Sequence, residues 1–429
     1  MSEADEIREG REAVPACPAE PGVHAVSLSP FQERVRTAVL RQAAWATSFG
    51  PLSQDQYDFW AWSLGRRAKR LYYAGAFAGK VAVAPLVLLD TLLPSSRRLF
   101  RRPARFPIAD AHWTMGFYSL AEATHDDGWR MRGDAFLAFL LAERCPGIEE
   151  YCWGYPFDWE TCFGTFKAGT PLITTIPYVY DAFEMAYRAG CNSAYLDVME
   201  SVGRFGFASL PDTETRHGAR ASAYTPADAR RVVNASAYRS WLLANAGVRF
   251  GREEWIEKAL SYAAFVLDVQ RGDGSWLYAV DGKDAFIDNF HTCLVIKNLV
   301  KTARKLPDRP ESRNLLLAAS KGYEFYKRRL LDDGGQPVPF AKTQRLSLVR
   351  RELYDYAEGI NLATLMKGLD VGAERVQRQL VETLLEEWQL PDGHFVTRRT
   401  VLGRNRVPYH RWAQSQTFHA LCRLLSETT

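Results

Sequence analysis

Apolar residues along the 429-residue chain follow a repeated helical pattern. Six segments begin with polar or aromatic residues and continue as strongly apolar helices: 108–124, 170–187, 232–247, 287–303, 354–369 and 408–425. Their starts lie 62, 62, 55, 67 and 54 residues apart, a period that corresponds to one helical hairpin plus a long loop. Because apolar residues occur on nearly every face, we expect these helices to be buried all round.

Helices with a one-sided apolar stripe lie between these segments, at 131–143, 252–270, 311–331 and 373–389. An inner ring of buried helices with an outer ring of amphipathic ones predicts an all-α (α/α)6 toroid, also called a six-hairpin barrel, with short β segments in the loops at the active-site end. The region around 30–65 would supply or cap the remaining outer helix. An open α-solenoid has the same periodicity and is the alternative.

The chain divides by composition into three parts. Residues 1–27 are polar, contain several Glu and Pro, and have no apolar stripe, so we expect a disordered tail. Residues 28–107 are predicted to form an N-terminal helical region, and residues 108–429 the catalytic toroid domain. A hydrophobic fraction of 47% is ample for a buried core of this size.

Charge and cysteine usage exclude several classes of protein. A net charge of +4 without a zinc-finger or basic-helix pattern predicts no nucleic-acid partner. The seven cysteines are scattered without a CxxC pair, which indicates neither a disulfide framework nor a structural zinc site. Because the histidines lack metal spacing and no carboxylate-rich calcium loop occurs, we predict no metal and no cofactor.

The most apolar stretch, residues 71–93, raises the question of a membrane. Lys80, Pro85 and Asp90 interrupt it, which counts against a spanning helix. Five arginines follow within nine residues, so a core helix with a solvated basic loop competes with peripheral contact to anionic lipid through 71–105. The acidic N-terminus lacks the apolar region of a secretory signal. We therefore predict a cytoplasmic protein, with the inner face of the cytoplasmic membrane as the place of any attachment; the sequence does not indicate an oligomeric state.

Long loops precede three of the inner helices, at 149–171, 270–291 and 389–412. Loops of this length are usually functional, and all enter the ring from the end where the inner helices expose free N–H donors. Such a mouth favours an anionic or polyhydroxylated ligand, and arginines on the last loop, including Arg411, reinforce that preference. The loops also carry aromatic residues suited to stacking on sugars: Trp153, Tyr155, Trp159, Trp276, Tyr278, Tyr409 and Trp412.

The segment IDNFHT (287–292) concentrates Asp288, Asn289 and His291 ahead of an apolar run. Either Asp288 or Asn289 is equally well explained as a helix N-cap, and Arg411 as a clamp on a buried carboxylate. The other inner helices add candidate substrate-binding residues, some of which also fit structural roles: Tyr178, Asn234, Tyr238, Glu358, Asn361 and Gln414.

Two acidic residues, Asp158 and Glu160, are candidate catalytic groups, with salt bridges in the loop as the structural alternative. A glycoside hydrolase needs two carboxylates across the scissile bond. The candidate carboxylates for that function are Asp158, Glu160, Asp288 and Glu358.

Two toroid families share short motifs with this chain. QRGDGSW (270–276) resembles the Q-x-x-x-G-x-W repeat of terpenoid cyclases, but their D-x-D-D and D-D-x-x-D acidic motifs are absent from the sequence. Cyclisation is therefore a distant alternative. The final segment, RRTVLGRNRVPYHRWAQSQTFHALCRLL, is distantly similar to the C-terminal end of glucuronyl C5-epimerases.

A further resemblance covers most of residues 105–425. WGYPFDWET, AGTPLITTIPYVYDAFE, VVNASAYR, IDNFHT and PYHRWAQSQTFHAL look like uncharacterised toroid proteins of bacterial exopolysaccharide and lipopolysaccharide loci. This resemblance implies the toroid fold and a role in polysaccharide biosynthesis without naming a reaction.

Toroid polysaccharide lyases offer a mechanistic analogy, with an Asn–His pair plus Tyr and Arg. Their roles would fall to Asn289, His291, Tyr409 and Arg411: Asn and Arg neutralise a uronate carboxylate, while His or Tyr abstracts the C5 proton. We therefore predict an enzyme that modifies a uronate-containing glycan or its lipid-linked precursor, as an epimerase or lyase. A glycoside hydrolase and a non-catalytic glycan-binding or assembly protein are the alternatives.

Overall fold

The computed structural model describes residues 28–75, 77–162, 164–282, 284–343 and 347–427. The tail predicted over 1–27 lies outside the described residues. Within the described ranges no helix is long and apolar enough to cross a membrane. The boundary predicted at residue 107 stays a prediction.

The α-helices in chain order are α1 (Pro30–Phe49), α2 (Asp58–Ala61), α3 (Ser63–Tyr73), α4 (Phe77–Leu92), α5 (Pro107–Thr124), α6 (Asp127–Ala142), α7 (Ile176–Gly190), α8 (Ala194–Arg204), α9 (Val233–Phe250), α10 (Glu253–Asp268), α11 (Asn289–Lys305), α12 (Pro310–Arg329), α13 (Leu353–Met366), α14 (Ala373–Glu387) and α15 (Ser415–Ser426). Short irregular helical turns occupy Pro94–Leu99, Phe205–Ser209, Arg216–Gly218 and His410–Gln414.

The inner ring consists of α5, α7, α9, α11, α13 and α15, each packed against the next. The first five are each followed by an outer helix, and α1 packs against α15 as the outer helix of the sixth hairpin. Because α15 also packs against α5, the ring is closed, which confirms the (α/α)6 toroid and excludes the open solenoid. Gly116 allows this closure: a Cβ there would lie 2.4 Å from the ring of Phe418 on α15.

The burial of the helices follows their sequence pattern. All 14 residues of α13 are buried, as expected for a helix with apolar residues on every face. In the outer helix α14 only one stripe is buried, including Val376, Leu380 and Leu384 at helical spacing. The inner and outer layers therefore differ in burial as the pattern predicts.

Short antiparallel strands lie in the loops that lead into the inner helices: β1 (Trp159–Thr161), β2 (Gly164–Phe166), β3 (Asp212–Glu214), β4 (Arg220–Ser222), β5 (Ile287–Asp288), β6 (Phe340–Lys342), β7 (Val349–Glu352), β8 (Arg398–Thr400) and β9 (Gly403–Asn405). They pair as β1–β2, β3–β4, β5–β6 and β7–β8–β9. All of them precede an inner helix, so they gather at one end of the toroid, as predicted.

Most cysteines of the described residues are free thiols. Cys145, Cys152, Cys162, Cys293 and Cys422 carry free thiols, whereas Cys191 is disulfide-bonded. Disulfides are rare in reducing compartments, so the bond at Cys191 does not support the predicted cytoplasmic location. That location stays a prediction.

Candidate functional site

A cavity of about 260 Å³ opens at the end of the toroid where the loops enter the inner helices. Its walls come from the loops ahead of α7, α9, α11 and α15, and from α3 near the N-terminus. Aromatic side chains dominate the lining: Tyr57, Tyr73, Tyr155, Phe157, Trp159, Phe166, Tyr224, Tyr278, Phe286 and Trp412. Four of the seven aromatic residues predicted to stack on sugars, Tyr155, Trp159, Tyr278 and Trp412, lie on this wall.

His291 lies in the first turn of α11 and faces the cavity. Its Nδ1 atom is 2.6 Å from Oδ2 of Asp288. Asp288 occupies the N-cap position of the helix, but its side chain caps no backbone N–H. The carboxylate therefore accepts from Nδ1–H, and this arrangement leaves Nε2 as the ring nitrogen that can take up a proton.

Packing holds the imidazole of His291 in this orientation. Its ring centroid lies 4.1 Å from that of Phe290 and 4.6 Å from that of Tyr278. On the inner side, a small cavity of about 10 Å³ is lined by His291, Asp288 and Asn234. Asp288 Oδ1 and Asn234 Oδ1 are buried there, and neither has a hydrogen-bond partner within the described residues.

Arg411 forms the floor of the cavity next to Trp412. Its Nε and Nη2 atoms bind the carboxylate of Asp55, with Nε 2.8 Å from Oδ2, and both side chains are buried. The guanidinium lies 3.7 Å from the Trp412 ring and 4.3 Å from the Tyr155 ring. Its third nitrogen, Nη1, has no hydrogen-bond partner in the part of the chain that the structure describes.

Trp412 adopts a left-handed backbone conformation, with φ of 59°. A bulky residue in this region is strained, and such strain is concentrated at functional sites. A positive φ also occurs at Asp284 (53°), which lines the cavity, and at His125, Cys191 and His217, which do not.

Two further cations and a set of neutral tyrosines complete the wall. Lys69 on α3 donates to the Tyr57 hydroxyl at 3.0 Å, and Arg230 pairs with Asp281 and Asp284. Burial raises the pKa of four tyrosines on the wall, so they are neutral at physiological pH: Tyr57, Tyr155, Tyr224 and Tyr278. The Tyr57 hydroxyl donates to the Glu160 carbonyl at 2.9 Å, so the candidate donors to a ligand are the other three. The lining also contains the carboxylates of Asp228 and Asp284. Hydroxyls, aromatic rings and charges of both signs together suit a hydroxylated ligand, and Lys69 and Arg411 are the cations that would meet an anionic group on it.

Asn289 does not face the cavity. Its side chain is fully buried, and Nδ2 donates to the carbonyls of Leu330 and Val338 at 2.8 and 3.1 Å. Successive residues of a helix are rotated by about 100°, so residues two apart face nearly opposite sides. His291 and Asn289 therefore point in different directions, and the geometry gives Asn289 a structural role in anchoring the preceding loop.

Tyr409 also lies outside the cavity lining. It is fully buried, its hydroxyl accepts from Asn405 Nδ2 at 3.0 Å, and its ring packs 4.6 Å from the guanidinium of Arg97. This geometry makes the Tyr409 hydroxyl a structural hydrogen-bond acceptor and gives it no access to a ligand next to His291.

Asp158 and Glu160 flank Trp159 and turn away from the cavity. Asp158 accepts from the Ala168 N–H and pairs with Arg66 and Lys167. Glu160 is buried and accepts from Thr165 Oγ1 at 2.7 Å. Because side chains alternate along a strand, Trp159 faces the cavity and its two acidic neighbours do not; the pair forms salt bridges behind the wall.

Four predicted binding residues lie deeper in the inner ring. Tyr238 donates to the Tyr178 hydroxyl at 2.8 Å, Glu358 forms a buried ion pair with Lys297, and Asn361 is buried beside them on α13. None of the four lines the cavity of His291.

The remaining predicted residues stabilise the scaffold. The indole N–H groups of Trp153 and Trp276 donate to the carbonyls of Leu140 and Val266. Gln414 bonds both backbone groups of Phe395. Their hydrogen-bonding capacity is used within the protein.

The sequence pattern does not single out four residues of the cavity wall: Tyr57, Lys69, Tyr224 and Arg230. Tyr57 and Lys69 lie in the N-terminal region, far along the chain from the other lining residues, and no local pattern marks them. Tyr224 and Arg230 follow the β3–β4 hairpin in the long loop between α8 and α9. The length of that loop indicates a functional role and could have pointed to both residues.

Sequence comparison finds no matching family and no matching curated protein. Comparison of folds does find relatives. An unsaturated glucuronyl hydrolase specific for heparin matches with a TM-score of 0.60 and 12% identity, over 92% of this chain and 96% of that protein. D-mannose isomerase matches with a TM-score of 0.60 and 12% identity, over 94% and 100%. Cellobiose 2-epimerase from Bacillus thermoamylovorans matches with a TM-score of 0.57 and 7% identity, over 75% and 88%.

These matches define the class of fold: the chain has the α/α toroid scaffold of these carbohydrate enzymes. At such low identity the similarity shows the scaffold alone.

Proposed function

We propose that this protein is a carbohydrate-active enzyme that transfers a proton at C5 of a uronate residue, in a glycan or a lipid-linked glycan precursor of polysaccharide biosynthesis. The observation that carries the proposal is the His291–Asp288 pair on the wall of an aromatic, cation-containing cavity. The fold relatives, which include sugar hydrolases, epimerases and isomerases by name, support the sugar substrate.

His291 is the proposed base. Its Nε2 atom takes the C5 proton, and the carboxylate of Asp288 stabilises the imidazolium that forms, as an acidic partner of a catalytic histidine does. The electron pair released at C5 delocalises into the adjacent carboxylate of the substrate. Asp288 therefore acts on the histidine, and His291 on the sugar.

The charge that develops on the substrate carboxylate needs cations and neutral donors. The buried guanidinium of Arg411 supplies positive charge from the floor of the cavity. Three tyrosines of the wall, Tyr155, Tyr224 and Tyr278, supply neutral hydroxyls. Preorganised donors in a poorly hydrated cavity stabilise such charge strongly. Delivery of a proton from a wall tyrosine or water to the other face of C5 gives epimerisation, and His291 then releases its proton to water. Breaking of the C4–O bond instead gives elimination, and the departing oxygen takes the proton held on His291.

The test is product analysis in deuterated water with a panel of uronate-containing oligosaccharides. Epimerisation gives a product of inverted configuration with deuterium at C5, and elimination gives an unsaturated uronate; either supports proton transfer at C5. Cleavage that leaves C5 protiated would establish a hydrolase and overturn the proposal, as would the absence of any turnover across the panel.

A further inference from the structure

The helical hairpin formed by α3 and α4 is attached to the cavity wall and exposes apolar side chains. The two helices cross in close contact at Gly79, where a Cβ would lie 2.4 Å from the Leu71 carbonyl. Gly79 is also the buried residue of α4. Most of the surface of α4 therefore faces away from the toroid.

A continuous apolar stripe runs along this free face. Phe77, Val81, Leu88 and Leu92 are 79%, 56%, 49% and 57% exposed, and their spacing of 4, 7 and 4 residues places them on one side of the helix. Leu99, 80% exposed, extends the patch past the end of α4. Patches of this kind on a folded protein mark interaction sites.

The charges around the stripe have one sign. Residues 64–102 contain nine Lys or Arg and one acid, a net charge of +8, so with a chain total of +4 the rest of the protein carries −4. The one acid, Asp90, is paired with Arg97. Four exposed cations have no ion-pair partner within the described residues: Arg67, Lys80, Arg98 and Arg102.

We propose that the free face of the α3–α4 hairpin docks on the surface of an anionic lipid bilayer. An apolar stripe that inserts at the headgroup boundary, flanked by cations that pair with anionic lipids, is the arrangement of a helix that lies in the membrane interface. The 16 residues of α4 are too few to span a membrane.

The docking face and the cavity share α3. Lys69 and Tyr73 of this helix line the cavity, whereas Leu64 and Leu71 are about half exposed. Docking would therefore hold the cavity mouth close to the bilayer, within reach of a lipid-linked glycan. This consequence rests on the proposed function, but the docking itself does not.

The test is co-sedimentation of the full-length protein with vesicles of phosphatidylglycerol and phosphatidylcholine, compared with phosphatidylcholine alone. We expect binding to the anionic vesicles that weakens with salt. The double variant Val81→Asp/Leu88→Asp should lower the affinity at least about tenfold, since it removes inserted apolar groups. Lys80→Gln and Arg98→Gln should each lower it about fivefold.

The matched control is Leu317→Asp/Val371→Asp, which makes the same change at apolar residues exposed elsewhere on the toroid, and it should bind as the unmodified protein does. His291→Ala should also bind normally, which separates failure of docking from failure of the catalytic proposal. Absent or salt-independent binding, or equal binding of both aspartate variants, would overturn the proposal. A dimer in light scattering that only Val81→Asp/Leu88→Asp dissociates would assign the patch to self-association and also overturn it.

Discussion

The Nδ1 atom of His291 lies 2.6 Å from Oδ2 of Asp288, at the point where a long loop enters the inner ring. The histidine lines the cavity, and the aspartate is buried beneath it. The hydrogen bond fixes the orientation of the His291 imidazole at the start of α11, so that Nε2 can act as a base.

Replacing either member of the pair should reduce turnover without unfolding the protein. His291→Gln removes the base and should lower kcat by about 10²- to 10⁴-fold. Asp288→Asn keeps the shape but removes the charge that stabilises the imidazolium, so kcat should fall while KM changes little. Steady-state kinetics on the substrate found by product analysis measures both; wild-type kcat in either variant would contradict the assignment.

Removing Asp55 should destabilise the fold, because it leaves the Arg411 charge buried and unpaired. Loss of one partner of a buried ion pair costs about 3–5 kcal/mol, which for a chain of this length is a decrease of roughly 3–6 °C in Tm. Thermal denaturation of Asp55→Ala measures this. Glu386→Ala, which breaks the exposed pair with Arg34, is the control and should change Tm by less than about 1 °C; equal shifts would show that Arg411 does not depend on Asp55.

Two tyrosine variants distinguish a cavity role from a scaffold role. Tyr409→Phe removes a hydroxyl that bonds Asn405 behind the wall, so kcat should stay within about twofold while stability falls by about 1 kcal/mol. Tyr224→Phe removes a neutral donor from the wall and should lower kcat/KM at least about tenfold. A collapse of kcat in folded Tyr409→Phe would restore Tyr409 as a catalytic residue.

His410 should make the fold sensitive to acid. Burial, and then the charge of Arg105, lowers the pKa of His410 to about 3, whereas in the unfolded chain the pKa is about 6.5. Between these values the unfolded state binds the extra proton, so the stability that this neutral histidine contributes is present above pH 6.5 and is lost as the pH falls.

His410→Gln, whose amide oxygen can still accept from the Trp113 indole that now donates to His410 Nδ1, removes this titration. On lowering the pH from 7.5 to 5.5, the variant should lose about 1.4 kcal/mol less stability than the wild type, or about 2 °C less in Tm. Other titrating groups cancel in this comparison. Parallel Tm curves for the two proteins would contradict a buried neutral His410.

The fold was predictable because inner and outer helices have different patterns. The segment 354–369 is apolar on every face and forms α13 over nearly its whole length. The prediction was inaccurate at the starts of two inner helices. α7 begins at Ile176 rather than near residue 170. α15 begins at Ser415 rather than near residue 408, because Arg411 and Trp412 adopt non-helical dihedral angles. The 11-residue helix α8 was not predicted.

The site was predictable at the level of segments, not of side chains. IDNFHT does enter the cavity, but helical rotation directs His291 into it and Asn289 away. Around Trp159, strand alternation hides Asp158 and Glu160 behind the wall. Both outcomes depend on the backbone conformation of these loops, which the pattern of polar and apolar residues does not determine. The positions of Tyr57 and Lys69 on the wall depend on packing between segments that are far apart in the chain.

The most direct test of the proposed proton transfer is the rate at which the uronate loses its C5 proton, measured by NMR in deuterated water for the wild type and His291→Gln, with Tyr409→Phe as control. This loss is the step that epimerisation and elimination share. We expect it with the wild type and with Tyr409→Phe, and a rate lower by about 10²-fold or more with His291→Gln. Loss of the C5 proton at the wild-type rate in folded His291→Gln would contradict the assignment of His291 as the base.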